Sequence, residues 1–519
     1  MDRYPDIADH GLIGDLQTVA LVTTDGTLDW FCVPRFDSPS VFASLLDADR
    51  GGFYKIVPDR DDYVSRQLYL PDTAVLVTRF LTPDGVGEVH DFMPVVHGAA
   101  TDRHRLVRNI RVVRGVMRFA IEIQPRFDYG RASHKIEPTE DGGVFESDGL
   151  SLTAHAIAPP EMTLASAGIN LERAGDGVRW TRTLREGENG GVVLESNGGT
   201  PRRMTPEQAQ RLEDETAKFW RDWVHRSTYT GRWREVVSRS AITLKLMTYA
   251  PTGAPVAAPT AGLPEQAGGE RNWDYRYTWI RDGSFSIYAL LGLGYTEEAA
   301  AFGGWLLDRA TDGAADGGRP LKIMYRVDGS SDLVEETLDH FEGWRGSRPV
   351  RIGNGAADQL QLDIYGEAMD SIYLADTSGL QAGHQAWTEL AKMIDWVCEH
   401  WDQPDEGIWE TRGGRKDFTY GRFQCWLALD RAIRMATRRG RPADLARSGR
   451  LDDAVLTFEK MQTYGNHLGL FSEEIGPTGD QLGNFPQAFS HLALISAAVN
   501  LNYQLDHGAG AVGAVISGR

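Results

Sequence analysis

The chain has 519 residues, 41% hydrophobic and 24% charged, the composition of a globular protein too long for a single core. Its formal net charge of −19 sets it against nucleic-acid backbones and anionic membrane surfaces, which would repel it. A neutral substrate handled by carboxylates is compatible with that charge. Cys32, Cys398 and Cys425 lie far apart without a CxxC pair and read as reduced thiols. The opening MDRYPDIADHGLIGD has no basic region followed by an apolar core, and no apolar run reaches the ~18 residues of a membrane span. A cytoplasmic protein with neither nucleic-acid nor membrane partners is expected.

Residues 1–200 read as strands, with β-branched alternation in 73–96, 104–125 and 143–159. Asp-Gly pairs at 25–26, 84–85, 141–142 and 148–149 supply hairpin turns, so the segment is expected to be a β-sandwich domain. The character changes near residue 200. Thr205 and Pro206 open a helix, and residues 201–230 form a linker helix into a helical domain over 231–507. Helices are expected there at 232–248, 283–293, 296–310, 363–377, 384–400, 418–438, 451–464 and 486–504. The small-residue tail 508–519 is expected to be flexible.

Long loops between these helices are rich in Trp, Tyr, Asp, Glu, Arg and Gly, a pattern that often carries function. RNWDYRYTWIRDGSF (271–285) ends in Arg281–Asp282, and Asp282 is either a cap for the following helix or a functional carboxylate. FEGWRGSRPVRIGNGAADQLQLDIYGE (341–367) contains Trp344; its GNGAAD lacks the preceding strand of a phosphate loop. QPDEGIWETRGG (403–414) turns at Pro404 and Gly407 and presents Trp409 and Glu410, while GLFSEEIGPTGDQLGNFPQAFSHLAL (469–494) carries Glu473 and Glu474. A loop glutamate is ordinarily just solvated. A carboxyl beside a tryptophan can instead have its pKa raised, as a general acid requires, and a second carboxylate from a distant loop completes an acid/base pair. The histidines form no HExxH or Cys/His cluster, so neither metal nor other cofactor is expected.

The order TWIRD, Trp344, GIWE, then SEE with GNFPQAFSHLAL resembles the family 15 glycoside hydrolases, which include glucoamylases and bacterial trehalases. The run GLIGDLQTVALVTTDGTLDWFCVPRFDSPSVFASLLD (11–47) resembles the front domain of bacterial members, so the likeness extends over about residues 5–505. The resemblance implies an N-terminal β-supersandwich, a linking helix, an (α/α)6 barrel and inversion at the anomeric carbon. It makes Glu410 the general acid and Glu473, rather than Glu474, the general base. Arg281 and Asp282 would hold hydroxyls of the terminal glucose, Tyr275 and Trp279 would line the pocket, Trp409 would precede the acid in the substrate site, and Trp344 would pack beside the acid. The substrate implied is a small neutral saccharide, trehalose or a malto-oligosaccharide; assembly with further copies of the chain is left open.

Two departures bear on this. Fungal glucoamylases have a second glutamate after the acid, whereas Thr411 and Arg412 follow here, which weakens transfer of their malto-oligosaccharide preference. The family barrel has twelve helices, whereas the catalytic half reads as about eight. Roughly a hundred residues, about two helical hairpins, are expected to be missing between Asp444 and Leu445, leaving the barrel incomplete. A sugar-binding paralogue without turnover is therefore the main alternative, and a glycoside phosphorylase, which needs no base at Glu473, a lesser one.

Overall fold

The computed structural model describes the chain except residues 1–2, 96–98, 140, 161–168, 200–202, 316–319, 378–383, 411, 438–458, 460–461, 476–477, 479 and 508–519. The break expected at 444–445, most of the helix expected over 451–464 and the tail lie outside the described residues.

The front half is one large antiparallel sheet of fifteen strands among the described residues. Its organiser is the long strand Arg105–Gln124, which pairs with Gly85–Phe92 and Asn189–Ser196 along its first half and with Phe53–Pro58 and Gly177–Arg185 along its second. All four Asp-Gly pairs join hairpin strands: Val19–Thr23 to Thr27–Cys32, Leu76–Thr82 to Gly85–Phe92, Lys135–Thr139 to Gly142–Ser147, and the last to Leu150–Ile157. At the first, Gly26 adopts φ +88, which a side chain would resist, and its N–H bonds back to the Thr23 carbonyl at 2.9 Å.

Helix α1 (Pro206–Val224) leads out of the sheet. It opens with a capping box in which Thr205 Oγ1 accepts from the Gln208 N–H and the Gln208 side chain accepts from the Thr205 N–H. Glu213 fastens it to the sheet through His90 and Arg111, while Trp223 stacks on Tyr295 with ring centres 4.0 Å apart. The helices that follow are α2 (Arg234–Leu246), α3 (Ile280–Gly292), α4 (Thr296–Ala315), α5 (Asp363–Thr377), α6 (His384–His400), α7 (Thr419–Thr437) and α8 (Ala488–His507). Consecutive packings α2–α8–α3–α5–α7 form an inner arc, backed by α4 and α6. Among the described residues no helix is long and apolar enough to cross a membrane.

The two halves share a core. Trp30, fully buried, donates its indole N–H to the Pro259 carbonyl at 2.7 Å, and a continuous apolar cluster runs from the sheet to α2, α3 and α8.

Candidate active site

The segment Arg271–Trp279 leads into α3, its backbone paired with residues 257–262 through Ala257 N–H to the Tyr277 carbonyl, Ala258 N–H to the Tyr275 carbonyl and Gly262 N–H to the Trp273 carbonyl. One face is anchored. Arg276 pairs with Asp274 at 2.6 Å and donates to the Ser38 carbonyl at 2.7 Å and to the Tyr129 hydroxyl at 2.8 Å, all buried against the front domain. Asp274 Oδ2 also accepts from the Tyr277 hydroxyl and the Gly353 N–H. With that face held, Tyr275 and Trp279 point the other way, their rings edge to face at 5.4 Å.

Trp279 donates its indole N–H to Glu410 Oε1 at 2.7 Å. Arg281, two residues on, lies 3.7 Å from the same oxygen, 3.1 Å from Asp282 Oδ2, and donates to the Ile408 carbonyl at 2.9 Å. Asp282 sits within the first turn of α3, whose N-cap is Trp279, so it faces the cluster and does not cap the helix.

The loop bearing Glu410 is pinned to the start of α5. Asp405 Oδ2 accepts from the Leu362 N–H at 2.9 Å, Glu406 Oε2 from the Leu360 N–H at 2.7 Å, and the backbones of Asp405 and Lys416 pair. Glu410 itself has φ +52, a left-handed conformation uncommon for a residue with a side chain and one that concentrates at functional sites. This turn sends Glu410 inward and Trp409 outward, where Trp409 is 84% exposed. The aromatic group against the Glu410 carboxyl is therefore Trp279, brought from far along the chain, and not the adjacent Trp409. Burial pushes the Glu410 carboxyl above its ordinary pKa, against the opposing pull of Arg281 and of the Trp279 N–H.

Glu473 enters from the opposite loop. Its Oε2 accepts from the Asn484 N–H at 3.1 Å, and its own N–H donates to the Asn484 carbonyl at 3.2 Å. The Asn484 side chain is bonded to Thr260 Oγ1 and the Trp273 carbonyl, tying this loop to the Trp273–Trp279 segment. Gly483 has φ +75, and a Cβ there would lie 2.6 Å from Glu473 Oε2, so a side chain would displace the carboxylate. Tyr275 joins the two halves. Its hydroxyl hydrogen-bonds Glu473 and it feels the charge of Glu410 as well; burial and then those charges drive its pKa well above the ordinary value. The side chain of Glu474 lies outside the described residues, although its backbone pairs with Leu482.

Trp344, expected beside Glu410, makes its indole hydrogen bond to the front domain. Gly343, Arg345 and Gly346 all have positive φ, and this tight turn aims the indole at the front domain, where it donates to the Pro5 carbonyl at 3.0 Å under the Arg345 guanidinium.

Two carboxylates absent from the sequence-based set join the cluster. Asp363 and Glu367, one turn apart on α5, both feel Arg281. Burial raises both pKa values, and the charge of Asp363 adds to that of Glu367. Gln361 Nε2, Ser284 Oγ and Glu367 Oε2 are buried without a hydrogen-bond partner among the described residues. Buried polar atoms are rarely left so in a folded protein, which suits a pocket that receives polar ligand groups. The signal for the α5 pair was the i,i+4 spacing in DIYGE just after a polar run. Among the described residues no group of three or more His, Cys, Asp or Glu is arranged to hold a metal ion.

Comparison with known proteins agrees with this architecture. The model for glycosyl hydrolases family 15 matches residues 231–458 and 451–499, and that for the trehalase-like N-terminal domain matches residues 2–220. The chain is 33% identical to a trehalase of Mycolicibacterium smegmatis over 620 aligned residues, spanning 96% of this chain and 91% of that protein. It is 31% identical to a trehalase of Thermoplasma volcanium, spanning 97% and 95%. A crystal structure of a bacterial glucoamylase complexed with acarbose superposes with a TM-score of 0.61 at 10% identity, covering 99% of this chain and 96% of that one, a likeness of fold alone. A front antiparallel domain, a helical domain behind it and relatives aligned along nearly the whole length identify the chain as a member of glycosyl hydrolase family 15, and as a glycoside hydrolase.

Proposed function

We propose that the protein is an inverting, exo-acting α-glucosidase that hydrolyses trehalose, with Glu410 as general acid and Glu473 as general base. The observation that carries this reading is Tyr275, which hydrogen-bonds Glu473 while lying within electrostatic reach of Glu410, so that two carboxylates from distant loops share one aromatic-walled space. Their environments differ in the sense that acid and base require. Glu410 is held in a buried setting that favours the protonated form. Glu473 accepts from the Tyr275 hydroxyl and the Asn484 N–H, bonds that favour an ionised carboxylate.

In this mechanism Arg281 and Asp282 hold hydroxyls of the non-reducing glucose, and Trp279 and Tyr275 bound its ring. Protonated Glu410 donates to the glycosidic oxygen as the bond to the anomeric carbon breaks. Glu473 takes a proton from water, and that water attacks the opposite face. An inverting pair stands roughly 6.5–9.5 Å apart to leave room for the water. No step calls for a metal or other cofactor. Trehalose is preferred over malto-oligosaccharides because the relatives aligned along the whole chain are named as trehalases.

The shortened ring is part of the same proposal. The family match falls into two pieces meeting at 451–458, and the alignment with the M. smegmatis protein runs over 620 residues although this chain has 519. At the end of the described inner arc, α7 exposes Phe423 (53%), Trp426 (56%) and Ile433 (63%) along one side. That exposed edge favours a second reading, a sugar-binding protein in which the pocket survives without turnover.

Glucose release from trehalose by the purified protein, beside Glu410→Gln and Glu473→Gln, separates the two. Each substitution should lower kcat by about 10²–10⁴-fold without unfolding the protein, since general acid/base catalysis contributes that much. Proton NMR of the early reaction should show β-glucose. Full activity in either variant would remove that residue from its role, and a folded parent that binds trehalose without releasing glucose would establish the sugar-binding reading.

A further inference from the structure

A cavity of about 800 Å³ lies at the junction of the two halves, and none of the residues lining it belongs to the candidate active site. Its walls are the strand Val64–Tyr69, the residues around the start of α2 and the turn at 467–469. Small-molecule sites occupy roughly 300–1,000 Å³, so the volume is that of a ligand pocket. Leu68, Leu70, Trp233 and Ile242 give it apolar walls, and the half-buried Arg239 stands among them.

Two contacts fix Arg239. Its guanidinium lies over the Tyr69 ring at 3.8 Å and donates to the Thr73 carbonyl at 2.9 Å. The Tyr69 hydroxyl accepts from the Leu12 N–H and donates to the Leu12 carbonyl, each at 2.8 Å, so the ring that sets the guanidinium plane is itself held. A guanidinium has five N–H donors, and among the described residues only Thr73 accepts from this one.

Its charge is unmatched as well. Arg232 pairs with Asp506 at 2.8 Å and Arg234 lies 3.8 Å from Asp72, whereas Arg239 forms no ion pair among the described residues. Burial pulls the Arg239 pKa below its ordinary value, against the charges of Asp72 and Glu235. The positive charge reaches His491, whose pKa burial and then Arg239 hold down to about 3.

The chemistry of an occupant follows from this balance. Three guanidiniums (Arg232, Arg234, Arg239) and two carboxylates (Asp72, Glu235) line the cavity, an excess of one positive charge. His467 adds none at neutral pH, because burial lowers its pKa. One negative charge balances the site, and a phosphate dianion would overshoot it. The two oxygens of a carboxylate match the planar edge of a guanidinium, and the apolar walls suit an apolar body.

We infer that this cavity binds a small organic monocarboxylate, its two oxygens on the free edge of Arg239 and its apolar body against Leu68, Trp233 and Ile242. The site is separate from the proposed hydrolysis and does not rest on it.

The test is isothermal titration calorimetry of the whole chain at pH 7.5 with 3-phenylpropionate, its uncharged amide and inorganic phosphate. The titrations are repeated in Arg239→Met and Leu68→Asp, with thermal melting to confirm folding. The carboxylate should bind once per chain with Kd below about 1 mM, and the amide and phosphate at least tenfold more weakly. Both variants should weaken the carboxylate at least tenfold. Leu68 is 39% exposed, so Leu68→Asp leaves the core alone while its charge repels the ligand or takes Arg239 from it. An amide that binds as well as the acid, phosphate that binds more tightly, affinity that survives Arg239→Met, or no binding of the acid below about 1 mM would overturn the inference. If Arg239→Met does not fold, Leu68→Asp decides by the same tenfold limit.

Discussion

The pKa of Glu410 is raised by burial, the largest influence, against Arg281 and the Trp279 N–H, which lower it; the charges of Asp282 and Arg412 add smaller effects of opposite sign. Trp279→Phe keeps the ring and removes the donor, so the ionised form loses a stabilising bond and the pKa rises further. An acid that must be protonated sets the alkaline limb of the pH–rate profile. That limb of kcat/KM should therefore move to higher pH in Trp279→Phe; a limb that stays put would mean the 2.7 Å bond has no part in tuning the acid. At this scale the sequence was partly legible. GIWE and SEE drew attention to Glu410 and Glu473, but chain adjacency suggested Trp409 as the acid's aromatic neighbour. The positive φ at Glu410 turns the two side chains apart, and backbone handedness at a single residue has no sequence pattern unless glycine occupies it.

On α5, Asp363 and Glu367 place two carboxyls one turn apart in a buried setting, and both are held above the ordinary carboxylate range. A carboxyl whose folded pKa is raised contributes stability that is fully present below its unfolded value, near pH ~4, and is lost as pH rises through the folded value. Asp363→Asn removes one such charge. Its stability relative to the parent should improve between pH 4 and 7.5, read as denaturant midpoints at the two ends; a constant difference would show that Asp363 does not resist ionisation. Helices were the readable elements here: the period of 3.6 located α1 to α8 within a few residues, because each buries one face. The short pairings that shape the loops, Thr278–Trp279 with Met324–Tyr325 and Glu474–Ile475 with Gln481–Leu482, escaped because two residues establish no period.

Over the whole molecule, the front domain holds the candidate active-site segment in place. Arg276 has Asp274 on its own segment and Ser38 and Tyr129 across the boundary, all buried. Arg276→Met would leave Asp274 buried without its cation, at a cost of about 3–5 kcal/mol. Urea unfolding should show a lower midpoint for this variant, and residual glucose release should fall because Tyr275 and Trp279 share the released segment; a parent-like midpoint would mean the pair is not what couples the halves. By itself the sequence determined the order of sheet then helices, the Asp-Gly hairpins, the capped α1 and the loops that bear Glu410 and Glu473, because local backbone preference and one-sided burial leave a periodic trace in the chain. The partner of Glu410, the bond of Trp344 to Pro5, and the recruitment of Asp363 and Glu367 were decided only by tertiary structure. Those contacts join residues tens to hundreds of positions apart, and such pairings are set by how whole elements pack, which a single chain read end to end does not record.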